Sequence, residues 1–135
     1  MDYSSYRIII VDDEYEIAFI LQQYLDKMGM NAKHFTDPVL ALDYFKLNPK
    51  YYSMVITDLR MPGMSGLQLA HKIRRINNTI KIILITAFEI CDLENNLEFS
   101  ESKIDSIVQK PVKLPIFKDM IINILNDDKR KNIAI

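Results

Sequence analysis

The sequence predicts an α/β domain with a doubly wound sheet of five parallel strands, in which strands and helices alternate as (βα)5. Short apolar runs rich in Val and Ile alternate with longer amphipathic stretches. The runs are apolar at successive positions, which is typical of strands that helices cover on both faces. The chain of 135 residues has the length of one domain, which is enough to bury about two-thirds of the unfolded surface.

The candidate strands are short runs of apolar, mostly β-branched residues. They are Arg7 to Val11, Ala32 to Phe35, Met54 to Thr57, Ile82 to Thr86 and Ile104 to Val108. Helical crossovers between consecutive strands are right-handed and make the strands parallel. The expected strand order, 2-1-3-4-5, places the first and third strands side by side.

The first two helices are predicted from helical spacing and from their end signals. The first carries Ile17, Ile20, Leu21, Tyr24, Leu25 and Met28, and Gly29 fits a C-terminal cap. Thr36 or Asp37 can cap the second helix, with Pro38 in its first turn. Its apolar residues are Val39, Leu42, Tyr44, Phe45 and Leu47, and Asn48 and Pro49 end it.

The later helices follow the same reasoning. Ser65 precedes a third helix with Leu67, Leu69, Ala70, Ile73 and Ile76. Ile90, Leu93 and Leu97 suggest a fourth, and Phe117, Met120, Ile121, Ile124 and Leu125 mark the fifth. No apolar stripe continues after Asn126. Residues 1–126 are therefore expected to form the domain, and residues 127–135 a C-terminal tail or linker remnant.

Charged residues follow the first, third and fifth strands. Asp12 and Asp13 come after the first, Asp58 after the third and Lys110 after the fifth. Because α/β sheets bind ligands in the crevice at the carboxyl ends of their strands, these side chains are expected to meet. Two carboxylates about 4 Å apart repel by roughly 4 kcal/mol at an effective dielectric constant of 20. Such hard oxygen ligands favour Mg²⁺, so the cluster predicts a magnesium-dependent phosphoryl-transfer site.

Motifs around these charges resemble the receiver domain of two-component response regulators. They are Ile9 to Glu14, Asp58 to Gly66, Thr86-Ala87 and Lys110-Pro111, in the order and at about the spacing of that family. The resemblance covers roughly Arg7 to Asn126. It implies a flavodoxin-like (βα)5 fold.

The resemblance also implies a role for each site residue. Asp58 would accept the phosphoryl group, and Thr86 and Lys110 would contact the phosphoryl oxygens. Mg²⁺ would be held by Asp13, Asp58 and the backbone carbonyl of Arg60, and by Asp12 through water. The bond between Lys110 and Pro111 would be cis.

The resemblance further implies a signalling module that catalyses only its own phosphorylation and dephosphorylation and is not a turnover enzyme. The donor would be a sensor histidine kinase or a phosphotransfer protein, and an effector protein would bind the face of the fourth helix, fifth strand and fifth helix. A formal net charge of -1 gives no general field for nucleic acid, and no apolar run suits a membrane span. The single cysteine fits a reducing compartment. We therefore expect a cytoplasmic monomer or weak dimer without direct nucleic-acid or membrane binding.

Two other functions remain open from the sequence. A receiver-like interaction domain that is not regulated by phosphorylation could keep this fold, although the joint presence of Asp58, Thr86 and Lys110 argues against it. A magnesium-dependent aspartyl phosphatase of the haloacid-dehalogenase type would need an Asp-x-Asp pair after the first strand, whereas Asp12 and Asp13 are adjacent.

Some positions bear on the output and lifetime of the phosphorylated state. Ile107 stands three residues before Lys110, where the family usually carries a Tyr or Phe ring that turns inward, so a smaller shift of the effector face is expected. Phe88 and Arg60 are expected to overhang the phosphorylated carboxylate and to exclude water. In the alternative, Phe88 packs under the fourth helix and Arg60 points to solvent.

Overall fold

The computed structural model describes residues 2–87 and 96–133, with side chains as far as Asp127. Strands and helices alternate along the chain, in the order β1 (Arg7–Val11), α1 (Tyr15–Lys27), β2 (Asn31–Phe35), α2 (Pro38–Leu47), β3 (Met54–Asp58), α3 (Gly66–Ile76), β4 (Lys81–Thr86), α4 (Leu97–Ser102), β5 (Ser106–Gln109) and α5 (Leu114–Ile133). All strand pairs are parallel, and the sheet order is β2-β1-β3-β4-β5. The predicted fold class and strand order are confirmed.

The sheet is covered on both faces, because alternate strand residues enter two apolar cores. On one face, Ile10 and Ile56 pack with Phe117 of α5 and with residues of α1. On the other face, Val55 packs with Phe45 of α2 and with residues of α3. Every residue of β3 is buried, whereas β2 at the sheet edge is only partly covered. The end of β3 is therefore held between two cores.

The helix starts fix how each helix approaches the sheet. Asp37 caps α2 by accepting a hydrogen bond from the Val39 N–H at 2.9 Å, and Pro38 follows in the first turn. Ser65 caps α3 in a capping box, in which its hydroxyl oxygen accepts from Gln68 N–H and the Gln68 side chain accepts from Ser65 N–H. Both predicted caps are confirmed, and of the two candidates for α2 the residue that caps the helix is Asp37 and not Thr36.

The predicted start of the fifth strand at Ile104 is wrong, because β5 begins at Ser106. Lys103 adopts a left-handed conformation with φ of 49°, which turns the chain before the strand. The Asp105 carboxylate then accepts a hydrogen bond from Ile82 N–H at 2.7 Å. The strand ladder consequently starts one residue after Asp105.

The predicted end of the fifth helix near Asn126 is also wrong, because α5 continues to Ile133. No Gly or Pro follows Asn126 to stop the helix. The backbone stays helical across residues 127–133 of the predicted tail, while the division of the chain after residue 126 remains a prediction.

The fourth helix is described in part. Ile90 and Leu93, which suggested it, lie outside the described residues. Asn96 caps α4 by accepting a hydrogen bond from Phe99 N–H at 3.2 Å, and Leu97 is exposed.

Among the described helices, none is both long and apolar enough to span a bilayer.

Candidate functional site

The carboxyl ends of the strands bring the predicted site residues together. Val11 of β1 lies opposite Thr57 of β3, so Asp12 and Asp58 follow on neighbouring strands. Asp58 in turn lies opposite Ile85 of β4, one residue before Thr86. The Lys110 N–H donates a hydrogen bond to the Thr86 carbonyl oxygen at 2.8 Å. The ends of β1, β3, β4 and β5 thus converge.

Three carboxylates form the centre of this site. One oxygen atom from each of Asp12, Asp13 and Asp58 lies within 4.8 Å of the others. Asp12 and Asp58 are buried, and Asp13 is exposed. One oxygen atom of each carboxylate could therefore reach a single metal ion placed at the mouth of the crevice.

Lys110 is the cation of the cluster. Its Nζ atom lies 3.4 Å from Asp12 Oδ2 and 3.4 Å from Asp58 Oδ2. A further carboxylate, Glu14, contributes Oε1 at 3.7 Å. Sequence reasoning missed the Glu14 contact, because the N-terminal position of this residue in α1 already accounted for its charge. The Lys110–Pro111 peptide bond is cis, which confirms that prediction.

Burial and neighbouring charges shift the pKa values of Asp12, Asp58 and Lys110. Burial raises the pKa of Asp12 above its ordinary value, despite the Glu14 N–H and Lys110. Burial and the charge of Asp12 raise the pKa of Asp58. Burial lowers the pKa of Lys110, but the Asp12 and Asp58 carboxylates outweigh it, and the net shift is upward. Ionisation of Asp12 and Asp58 is therefore disfavoured, and because three carboxylates face a single lysine, a divalent cation would stabilise their charged forms.

Asp12 offers a specific observation in favour of such a cation. Its Oδ1 atom accepts a hydrogen bond from Glu14 N–H at 2.9 Å. Its buried Oδ2 atom has no hydrogen-bond partner among the described residues, and lies in the 3.4 Å ion pair with Lys110. A buried acceptor left in this way is costly unless another donor or cation reaches it. The all-oxygen donor set suits Mg²⁺.

Backbone contacts hold Asp58 in place. The Leu59 N–H donates to Asp58 Oδ1 at 3.0 Å, and the Thr57 hydroxyl donates to the Asp58 carbonyl oxygen at 2.9 Å. The Gly66 N–H at the start of α3 donates to the Leu59 carbonyl oxygen at 2.7 Å. These hydrogen bonds hold the loop after Asp58 against the start of α3. One oxygen of the Asp58 carboxylate is fixed by the Leu59 N–H, and the other faces Lys110.

The two glycines of this loop have different reasons to be glycine. Gly63 adopts a φ of 84°, which L side chains rarely adopt. Gly66 instead lies so close to β3 that a Cβ atom would overlap the Asp58 carbonyl oxygen. A tight turn therefore accounts for Gly63, whereas close packing against β3 accounts for Gly66.

The remaining candidates are less constrained. Arg60 is exposed and lies two residues beyond Asp58, and the role of its carbonyl stays a prediction. Phe88 lies outside the described residues, so its shielding role also stays a prediction. Ile107 is half-buried and packs against an apolar cluster that contains Leu59, Leu67, Leu84 and Phe99.

Comparison with known proteins shows to which family this site belongs. The family profile of the response regulator receiver domain matches residues 8–122. The chain belongs to this family. Receiver domains are signalling modules of two-component phosphorelays and not turnover enzymes, and the chain is therefore such a module.

The relatives of this receiver domain include longer proteins. The chain is similar to the response regulator RppA of Synechocystis sp., with 30% identity over 105 residues, covering 78% of this chain and 44% of RppA. It is also similar to the sensor histidine kinase RcsC of Escherichia coli, with 31% identity over 120 residues, covering 89% of this chain and 12% of RcsC. The chain thus spans less than half the length of these relatives.

A solved structure of another response regulator shows the same fold. The response regulator TrrA of Thermotoga maritima, solved in complex with Mg²⁺–BeF, superposes with a TM-score of 0.74 at 32% identity. The match covers 87% of this chain and 97% of the TrrA chain.

Proposed function

We propose that this receiver domain accepts a phosphoryl group on Asp58, with Mg²⁺, from a sensor histidine kinase or a phosphotransfer protein. The observation that carries the proposal is the position of Asp58 at the end of a buried strand. There its Oδ2 atom lies 3.4 Å from Lys110 Nζ, within a cluster of three carboxylates. A nucleophile, a fixed cation and a set of oxygen ligands for a metal are the parts that phosphoryl transfer requires.

The metal ligands in this proposal are Asp13, Asp58 and the Arg60 carbonyl, with Asp12 acting through water. Bound Mg²⁺ would supply positive charge to the oxygens of the transferred group. The buried Asp12 Oδ2 atom, which has an ion pair with Lys110 but no hydrogen-bond partner among the described residues, and the raised pKa values of Asp12 and Asp58 support this ligand set. The complex of the relative TrrA with Mg²⁺–BeF supports it as well.

The protein's own residues would then orient the reacting groups and stabilise the charge on them. A carboxylate oxygen of Asp58 attacks the phosphorus in line, the new O–P bond forms, and the bond from phosphorus to the donor histidine nitrogen breaks. The Lys110 ammonium and the Thr86 hydroxyl stabilise negative charge on the transferred oxygens. The hydrogen bond from Leu59 N–H to Asp58 Oδ1 keeps the carboxylate oriented before the donor arrives.

The proposed output is a change in the face formed by α4, β5 and α5, which an effector protein binds. Because Ile107 has neither a ring nor a hydroxyl, we expect a smaller shift than an aromatic residue would give. The domain would act in the cytoplasm as a monomer or weak dimer, without direct contact to nucleic acid or membrane. A net charge of -1 and a single cysteine support these assignments.

Intact-mass measurement with acetyl phosphate and Mg²⁺ tests the phosphoacceptor. We expect one added phosphoryl group on the wild-type chain and none on the Asp58→Asn variant or after removal of Mg²⁺ with EDTA. Asp43→Asn, which changes an exposed carboxylate on α2, is the matched control and should be modified like the wild type. Equal modification of Asp58→Asn would overturn the assignment. A folded chain that is never modified would favour the interaction domain without phosphorylation.

A further inference from the structure

A buried arginine joins α3 to the turn between α4 and β5. Arg74 is only 7% exposed. Its Nε atom donates to the Ser102 carbonyl oxygen at 2.9 Å, and Nη2 donates to the Lys103 carbonyl oxygen at 3.0 Å. Its Nη1 atom donates to the carbonyl oxygens of Asn78 and Ile80. One guanidinium group thus donates hydrogen bonds both to carbonyl oxygens at the end of α4 and to carbonyl oxygens in the loop before β4.

Asp105 completes this arrangement, which we call the Arg74 brace (Arg74, Ser102, Lys103 and Asp105). Asp105 Oδ2 lies 3.5 Å from Arg74 Nη2 and accepts the hydrogen bond from Ile82 N–H. The Asp105 N–H donates to the Ile82 carbonyl oxygen at 2.9 Å. The brace therefore fixes the α4–β5 turn to the amino end of β4 through both the side chain and the backbone of Asp105.

The brace lies at the opposite end of the sheet from the phosphoacceptor. Ile82 is near the amino end of β4, and Thr86 is the last residue of that strand. At about 3.3 Å per residue, these positions are roughly 13 Å apart along the strand. The C-terminal end of α4 is therefore anchored far from the place where a phosphoryl group would act.

Two other contacts link α4 to its surroundings. His71 of α3 and Glu101 of α4 lie 2.8 Å apart, between Nε2 and Oε2. Phe99, one turn from the end of α4, packs in the apolar cluster with Leu59 and Ile107. Because Leu59 follows Asp58 directly, this cluster connects the loop of the phosphoacceptor to α4 and β5.

We propose that the Arg74 brace is the fixed end about which α4 tilts when Asp58 is phosphorylated. The inference rests on the proposed function. The α4–β5 turn and the amino ends of β4 and β5 keep one arrangement in both states. The rearrangement is confined to the side of α4 and β5 that faces the site, including the packing of Phe99 and Ile107 against the cluster of Leu59, Leu67 and Leu84. Rigid attachment at one end converts a small displacement near Thr86 into a rotation of the helix.

Residue-resolved amide exchange of the wild-type chain, with and without Mg²⁺ and beryllofluoride, tests the proposal. The Ile82 and Asp105 amides report on the brace, and the Lys110 amide, bonded to Thr86, reports on the site. We expect exchange at Lys110 to change about tenfold or more, which corresponds to about 1.4 kcal/mol. Exchange at Ile82 and Asp105 should stay the same. Changes at Ile82 and Asp105 as large as that at Lys110 would overturn the fixed end.

The failure of this inference differs from that of the proposed function. If intact mass shows no phosphorylation of Asp58 and beryllofluoride does not change exchange at the Lys110 amide, the proposed function and the inference fail together. If both respond and the Ile82 and Asp105 amides respond equally, only the inference fails.

Variants give a second test. Arg74→Met keeps an unbranched stem and removes the guanidinium, and Arg75→Met changes the exposed neighbour on α3 as a matched control. In Arg74→Met, exchange at Asp105 should rise about tenfold in both states, and it should now respond to beryllofluoride. Arg75→Met should behave like the wild type. Wild-type exchange at Asp105 in Arg74→Met would overturn the proposal. If that variant does not fold, Asp105→Asn removes the charge that pairs with Arg74 at 3.5 Å and with Lys81 at 3.8 Å. Exchange at the Ile82 amide should then rise and respond to beryllofluoride, and unchanged exchange at Ile82 would overturn the proposal equally.

Discussion

Replacing Gly66 with Ala should push the phosphoacceptor out of position. A methyl group at Gly66 would overlap the Asp58 carbonyl oxygen and would lie 2.8 Å from its carbonyl carbon and 3.0 Å from Thr57 Oγ1. The Asp58 atoms belong to the backbone and the Thr57 hydroxyl is buried, so these atoms cannot rotate away. Ala would otherwise improve a helical position by about 1 kcal/mol relative to Gly. Because the clash outweighs this gain, the substitution is expected to destabilise the protein.

The size of the effect follows from the overlap. The added Cβ atom would lie 1.9 Å from the Asp58 carbonyl oxygen. Non-bonded contacts prefer roughly 3.5 Å, so the end of β3 and the start of α3 must separate by about 1.6 Å. Overpacking of this kind costs about 1 to 3 kcal/mol in the free energy of unfolding. A misplacement of about 1 Å in a reacting group can lower a rate about 100-fold. We therefore expect a loss in the rate of Asp58 phosphorylation far larger than the loss of stability alone explains.

Two measurements separate these losses. Urea unfolding gives the change in stability, and the time course of intact mass with acetyl phosphate and Mg²⁺ gives the phosphorylation rate. Gly63→Ala is the control, because Gly63 has a φ of 84° and nothing within 4 Å of an added Cβ atom. It should lose about 1 to 2 kcal/mol of stability through backbone strain and keep a rate near that of the wild type. A wild-type phosphorylation rate in folded Gly66→Ala would refute the reasoning.

Further changes test the cores, the caps and the site. Phe45→Ala should lower the free energy of unfolding by about 3 to 5 kcal/mol in urea titrations, because Phe45 is fully buried. Ser65→Ala should lower it by about 1 kcal/mol through loss of the cap on Gln68 N–H, and an unchanged urea midpoint would contradict this. Asp13→Asn should raise the Mg²⁺ concentration needed for half-maximal phosphorylation about tenfold or more, if Asp13 is a direct ligand. Phe88→Ala should speed loss of the phosphoryl group several-fold, equivalent to about 1 kcal/mol in the barrier, and an unchanged decay of the phosphorylated mass would remove the shielding role of Phe88.

The sequence predicted the fold because the periodicity is strong where burial is complete. All residues of β3 are buried, and the corresponding run is apolar up to Thr57. The boundary of β5 was harder to predict, because Ile104 is apolar for another reason. It packs against the cluster of Leu59, Leu67 and Leu84 before the strand begins. The extension of α5 was missed because a helix can continue through residues of suitable propensity without an apolar stripe.

The acidic site was predictable because strand order alone brings Asp12 and Asp58 together. The residues that position them depend on distances that spacing does not reveal. The role of Gly66 comes from the approach of α3 to the Asp58 carbonyl. Arg74 stands beside Arg75 in the sequence, and its carbonyl partner at Ser102 is 28 residues away. Only the packed structure shows which of the two arginines is inside.

The edge strand β2 has a consequence for behaviour at high concentration. Lys33 on this strand is exposed, and its Nζ atom lies 4.2 Å from the centre of the Tyr44 ring. The lysine ammonium thus lies over the face of an aromatic ring, on the strand that forms the open edge of the sheet. A charged side chain there discourages the β2 strands of two molecules from joining into a continuous sheet. The chain can therefore expose an unpaired strand and still resist edge-to-edge aggregation.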